Sequence, residues 1–302
     1  MYSHVVIPVD GSPEATRAAS RGLALAAAFN ATVDVLSVVE RSALRLARGG
    51  DETERLRERS DAILEEITEL AAERDQSVRT ERRDGKPAAE ICAFAAERDA
   101  DLIVLGRQGM TGLGRRLLGG VTEHVLHRSD VPVFVVPGAD EASESASAGD
   151  PDYDRILLPT DGSENAGVAT PHGAAFAQRY DAVVHVLNVV DLQEAGGMFS
   201  AGGLEKSFVD RLEERGKGVV EGVETELRTT APALDVETAV VRTASFGGAA
   251  VGIEEYVTDQ EIDLVVMGSH GRSNLRRQML GSVASTVLRT VDVPVLVVKR
   301  PS

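Results

Sequence analysis

The sequence predicts an α/β protein built as two tandem doubly wound domains, each with a five-stranded parallel sheet, and three observations carry that prediction. The chain has 302 residues, about twice the usual length of a single domain. It repeats itself from end to end. Within each copy, short β-branched runs alternate with longer helical stretches, the pattern of a parallel sheet covered on both faces.

The repeat is visible at three landmarks. Val5-Val6-Ile7-Pro8-Val9-Asp10-Gly11-Ser12 returns as Ile156-Leu157-Leu158-Pro159-Thr160-Asp161-Gly162-Ser163. Val35-Leu36-Ser37-Val38-Val39-Glu40 returns as Val186-Leu187-Asn188-Val189-Val190-Asp191, and Asp130-Val131-Pro132-Val133 returns as Asp292-Val293-Pro294-Val295. In the first copy, strands are expected near residues 4–9, 32–39, 77–83, 102–106 and 131–136, with helices between them. Ser12-Pro13-Glu14 supplies an N-cap, a proline for the first helical position and an acid for the first turn, so the first strand passes straight into a helix. The second copy follows the same plan. Asp10 and Asp161 are 151 positions apart (161 − 10), but Gly106 and Gly268 are 162 apart (268 − 106). The second copy has therefore gained eleven residues, and Gly196-Gly197-Met198-Phe199-Ser200-Ala201-Gly202-Gly203 reads as a mobile loop that takes much of the gain. Residues 139–151 are small, polar and acidic, a flexible linker between domains at 1–138 and 152–302.

Composition limits the function classes. A hydrophobic fraction of 43% and a charged fraction of 26% fit a globular protein, and no apolar run approaches the roughly 18 residues that cross a bilayer. The N-terminus shows no basic region followed by a cleavage site, so a cytoplasmic, non-membrane protein is expected. The net charge of −16 argues against nucleic-acid binding, which needs cationic surface. Acid excess with only four lysines, Lys86, Lys206, Lys217 and Lys299, is similar to the composition of salt-adapted proteins, archaeal ones included, although coding bias also favours arginine over lysine. The single cysteine, Cys92, sits in a helical apolar pattern and reads as core filler.

The chemistry concentrates in Met267-Gly268-Ser269-His270-Gly271, followed by nine residues and Gly281-Ser282. Glycines let backbone N–H groups approach a phosphate, and Gly281-Ser282 opens the helical pattern Val283-Ala284-Ser285-Thr286, whose N-terminus favours an anion. Arg272, Arg276 and Arg277 in the same loop are able to add charge. Ligands of open parallel sheets sit at the carboxyl ends of strands where strand order reverses. If the strands ending at Asp161 and Gly268 are neighbours there, Asp161 suits the donors of a nucleoside and Val189 lines its base. The plainer reading of Asp10 and Asp161 is that they end strands and start turns.

These motifs together resemble the universal stress protein family, over nearly all of the chain except the linker and the glycine-rich insertion. The resemblance implies a Rossmann-like fold with strand order 3-2-1-4-5 and the family's ATP-binding branch. It implies that Pro159, Thr160, Asp161 and Val189 hold the nucleoside, while Met267, Gly268, His270, Gly271, Gly281, Ser282 and Val283 hold the phosphates. The first copy matches at Pro8, Val9, Asp10, Val38, Gly106, Gly109, Gly119 and Val121, but Gln108 stands for the histidine and Gly120 for the hydroxyl residue. Gly120 keeps its N–H, so a weaker site is expected there. The ligand implied is ATP, or AMP or ADP, with any Mg²⁺ held mainly by the phosphates. Family members pair through terminal strands, which implies an intrachain pseudo-dimer through residues 131–136 and 293–298, with a homodimer as a further option.

Other readings of the same residues are weaker. Ser269-His270 invites a hydrolase, but neighbouring side chains on an extended chain point apart and Met267 stands where a nucleophile elbow requires glycine. His124 and His127 share a helix face without a third metal ligand, and no metal site is expected. Arg115, Arg116, Arg276 and Arg277 suit solvent or acidic partners as well as phosphate. Neither a G-x4-G-K-[S/T] loop nor a G-x-G-x-x-G fingerprint is present. The expected function is a stress-linked sensor or regulator that binds an adenine nucleotide without catalytic residues. The alternative is a slow ATP-hydrolysing or adenylate-forming enzyme, which lacks a clear base or metal-organising acid here.

Overall fold

The computed structural model describes residues 1–41, 43, 50–110, 117–138, 152–193, 206–272 and 280–300. The chain divides into two compact units, Met1–Pro151 and Asp152–Ser302. The linker at 139–151 and the glycine-rich stretch at 196–203 lie outside the described residues.

Unit 1 runs β1 (His4–Val9), α1 (Pro13–Phe29), β2 (Thr32–Glu40), α2 (Gly50–Ala72), β3 (Arg79–Gly85), α3 (Pro87–Glu97), β4 (Leu102–Gly106), α4 (Gly120–Arg128) and β5 (Val133–Val136). All pairings are parallel, in the order β3-β2-β1-β4-β5. Unit 2 runs β6 (Arg155–Pro159), α5 (Glu164–Gly167), α6 (Thr170–Tyr180), β7 (Val183–Asp191), α7 (Lys206–Thr230), β8 (Val236–Thr243), α8 (Ala249–Asp259), β9 (Leu264–Gly268), α9 (Ser282–Thr290) and β10 (Val295–Val298). Its parallel order is β8-β7-β6-β9-β10.

The central strands β4 and β9 are buried along their whole length, as expected of strands covered on both faces. The helices pack in neighbouring pairs, α1 against α2 and α3 against α4, with α8 against α9 in the second unit. Ser12 Oγ accepts the Ala15 N–H at 3.2 Å, the cap foreseen for α1. In unit 2, Ser163 caps only the single turn of α5, and a new helix begins at Thr170-Pro171, where a proline lacking an N–H fits the first turn. The last strand of each unit starts two residues later than the apolar pattern, because Pro132 and Pro294 have no N–H to donate. Their carbonyls accept instead, from Ile103 and Val265, each at 3.0 Å.

The eleven extra residues of unit 2 are spread over three places. Ile63 packs at Gly11 as Val219 packs at Gly162, an offset of 156 (219 − 63). Val38 pairs Arg83 where Val189 pairs Val241, an offset of 158 (241 − 83). The full 162 is reached only after Ala244-Ser245-Phe246-Gly247-Gly248, so the stretch preceding α7 takes about half of the gain. Among the described residues, no helix is long and apolar enough to cross a membrane.

Candidate functional site

In unit 2, β6 pairs with β7 on one side and β9 on the other, so strand order reverses at its carboxyl end. A cavity of about 410 Å³ opens there, within the roughly 300–1,000 Å³ range of small-molecule sites. All eleven residues singled out in the second copy line it: Pro159, Thr160, Asp161, Val189, Met267, Gly268, His270, Gly271, Gly281, Ser282 and Val283.

The two halves of this crevice are fastened by the aspartate. Asp161 Oδ1 accepts the Ser163 N–H at 2.9 Å, and Oδ2 accepts the Arg272 N–H at 2.8 Å across 111 positions of sequence. The Arg272 guanidinium in turn donates to the Asp161 carbonyl. Asp161 therefore starts a turn and also clamps the loop after β9, and each carboxylate oxygen keeps further acceptor capacity. Close approach requires glycine at two places. A Cβ at Gly271 would fall 2.5 Å from Asp161 Oδ2, and one at Gly268 would fall 2.1 Å from the Asn165 carbonyl oxygen. The Asn165 amide also donates to the Gly271 carbonyl at 3.1 Å, tying α5 to the same loop.

The helix N-terminus differs from the expectation in one respect. The Gly281 N–H donates to the Ser269 carbonyl at 2.9 Å, so it serves the loop and is not offered to a ligand. The first intrahelical bond is Ser285 N–H to the Gly281 carbonyl, at 2.9 Å. The N–H groups of Ser282, Val283 and Ala284 are consequently the ones left for an anion. Ala284, the third of them, also lines the cavity.

Ser269 and His270 do not diverge as neighbours on a strand would. The strand ends at Gly268, and beyond it Ser269 Oγ lies 2.9 Å from His270 Nδ1. Of the two, His270 lines the cavity and Ser269 is buried, so the serine hydroxyl orients the imidazole.

Several lining residues carried no signal in the motif: Asn188 and Asp191 on β7, Leu212, Arg215, Gly216 and Val219 on α7, and Ala249 and Ile253 on α8. Asn188 Nδ2 donates to the Thr160 carbonyl at 2.7 Å, fixing the end of β6. A Cβ at Gly252 would meet Val189 Cγ1 at 2.7 Å, so Val189 turns toward α8 while Asn188 turns toward α7. Arg272 lines the cavity, whereas Arg276 and Arg277 lie outside the described residues.

Unit 1 reproduces the frame. Asp10 Oδ1 accepts from Ser12 N–H at 3.0 Å and Ser12 Oγ–H at 2.6 Å, and Oδ2 accepts the Met110 N–H at 3.0 Å. Gly109 and Gly119 are as crowded as their counterparts, while Gly106 has more room than Gly268, a Cβ there meeting the Gln108 and Glu14 carbonyl oxygens at 3.0 Å. A Cβ at Gly109 would meet Asp10 Oδ2 at 2.4 Å, and one at Gly119 would meet Gln108 Cα at 3.1 Å. The Gly119 N–H goes to the Arg107 carbonyl at 2.9 Å, which leaves Gly120, Val121 and Thr122 at the helix start. Pro8 and Val9 end β1, and Val38 lies near the end of β2. The Gln108 amide donates to the Leu117 carbonyl at 2.6 Å. His124 Nδ1 contacts the Gly120 carbonyl, at 2.5 Å, and Arg115 and Arg116 lie outside the described residues.

Comparison with known proteins places the chain among relatives of one family. A family model described as the universal stress protein family matches residues 1–137 and 152–299. Universal stress protein MJ0577 of Methanocaldococcus jannaschii is 34% identical over 161 residues, covering 49% of this chain and 96% of that protein. A universal stress protein of Mycolicibacterium smegmatis is 32% identical over 204 residues, covering 66% of this chain and 62% of its own length. The crystal structure of a universal stress protein from Archaeoglobus fulgidus shares the fold, with a TM-score of 0.69 at 20% identity over 99% of this chain and 97% of that one.

Proposed function

Because the chain belongs to the universal stress protein family, we propose that it binds ATP or a related adenine nucleotide and acts as a stress-linked sensor or regulator. The observation that carries this reading is the convergence of all eleven motif residues of the second copy on one cavity. Pro159, Thr160, Asp161 and Val189 would take the nucleoside. Gly268, His270, Gly271 and the N–H groups and hydroxyl at Ser282 would take the phosphates, with the helix dipole behind them. A divalent cation would be held mainly by the phosphates. The frame of Pro8, Val9, Asp10, Val38, Gly106, Gly109, Gly119, Gly120 and Val121 would bind more weakly, since it has no hydroxyl at the helix start and Gln108 in place of His270.

Calorimetric titration with ATP, AMP and cyclic AMP, followed by assay for hydrolysis product, tests the reading. Saturable binding with product formed slowly or not at all is expected. Absence of binding by all three nucleotides would sink it, and rapid turnover would replace it with an enzymatic one.

A further inference from the structure

Four carboxylate or guanidinium side chains line the cavity: Asp161, Asp191, Arg215 and Arg272. Asp161 and Arg272 are committed to each other's backbones. Arg215, exposed on the third turn of α7, takes part in no hydrogen bond or ion pair among the described residues. The helix itself offers it no acid. Its neighbours three and four positions away are Arg211, Leu212, Gly218 and Val219, while Glu213 pairs with Arg242 and Glu214 with Lys217. In a chain with sixteen excess negative charges, an arginine that lines a cavity and has no carboxylate partner among the described residues needs a reason.

Unit 1 supplies the geometry. One turn before Ile63, the residue that packs on Gly11, stands Arg59; one turn before Val219, which packs on Gly162, stands Arg215. The Arg59 guanidinium reaches across to Met110 Sδ at 3.2 Å. Met110 is the residue whose N–H bonds Asp10, just as the Arg272 N–H bonds Asp161. The same reach in unit 2 would aim Arg215 at Arg272, a cation where unit 1 has a thioether. Two guanidinium groups facing one cavity repel unless an anion lies between them, and an extended polyphosphate carries more charge into that gap than a single phosphate.

Resting on the nucleotide reading above, we propose that Arg215 is a specificity-determining residue that, with Arg272, grips the distal phosphates, so that the second unit selects a nucleoside triphosphate over the monophosphate. The first unit, with Met110 opposite Arg59, lacks this selection. Arg215 is exposed and stands one helical turn from Leu212 and from Val219, which line the same cavity.

The experiment compares wild type, Arg215→Gln and Arg215→Lys in titrations with ATP, AMP and adenosine, with thermal melts as a check on folding. For Arg215→Gln, ATP affinity should fall roughly tenfold to a hundredfold, the range for a charge-assisted hydrogen bond, while AMP and adenosine stay within about a factor of two. Arg215→Lys should fall between. Equal losses for ATP and adenosine would overturn the proposal in favour of stacking on the base, and an unchanged ATP affinity would overturn it outright. Wild type that binds none of the three removes the nucleotide reading itself, an outcome distinct from a wild type that binds ATP and a variant that binds it equally well.

Discussion

Gly120 marks the smallest difference between the two sites, one hydroxyl. It is the first helical residue after the N-cap Gly119, as Ser282 is after Gly281, and its backbone is not in the left-handed region. A Cβ built there meets nothing within 4 Å. Serine should therefore fit at position 120 without strain, and it should add a phosphate donor matching Ser282. With the second site disabled by Gly281→Asp, whose side chain would press on the Ser269 carbonyl and His270 Cα, Gly120→Ser is expected to raise ATP affinity by roughly tenfold. Calorimetry on the two backgrounds checks this. A well-folded variant with no gain would show that the Gln108 bond to Leu117, rather than the missing hydroxyl, limits the first site. The aspartates carry the opposite lesson. Asp161 reads in the sequence as a turn residue and as a candidate nucleoside ligand, and the structure adds a role that neither reading contains. Its second oxygen reaches 111 positions along the chain to the loop that carries the glycines.

Between helix and strand, the two units solve one packing problem in two ways. Ser60 of α2 donates to Ser37 of β2 at 2.8 Å, both side chains buried. At the matching places in unit 2 stand Gly216 of α7 and Asn188 of β7, and a Cβ at Gly216 would lie only 2.6 Å from Asn188 Oδ1. Two medium side chains have been exchanged for one large and none. Gly216→Ser should then cost about 1–3 kcal/mol through overpacking, despite serine's better helix propensity, and should loosen the Asn188 bond to Thr160. Adding Asn188→Ser should recover most of that loss, giving a favourable coupling of about 1–2 kcal/mol in urea melts. Strictly additive losses would show that the two positions do not share space. The strands of both units and the capped first helix of unit 1 were legible because β-branched runs, the Ser12-Pro13-Glu14 start and glycine pairs are short-range signals. The α7 wall of the cavity was not, because Leu212, Arg215, Gly216 and Val219 come to the cavity from a helix far from the glycine loop in sequence. Nothing in their own helix pattern points to a ligand.

The charge of the whole chain sets two salt effects against each other. A net charge of −16 acts on every part of the surface, and such self-repulsion weakens as the screening length shrinks from about 10 Å in 0.1 M salt to about 3 Å in 1 M. The melting temperature should therefore rise by several degrees over that range. A polyphosphate held by Arg215, Arg272 and a helix N-terminus depends on attractions that the same salt screens, so ATP affinity should fall severalfold while the fold gains stability. Adenosine, which carries no charge, should feel little of this, and the Arg215→Gln variant should show a shallower salt dependence for ATP than wild type. Differential scanning calorimetry and ATP titration across one salt series read both quantities on the same samples. If stability and ATP affinity both rise with salt, burial of apolar surface rather than charge dominates the site, and the arginines cannot be its phosphate contacts.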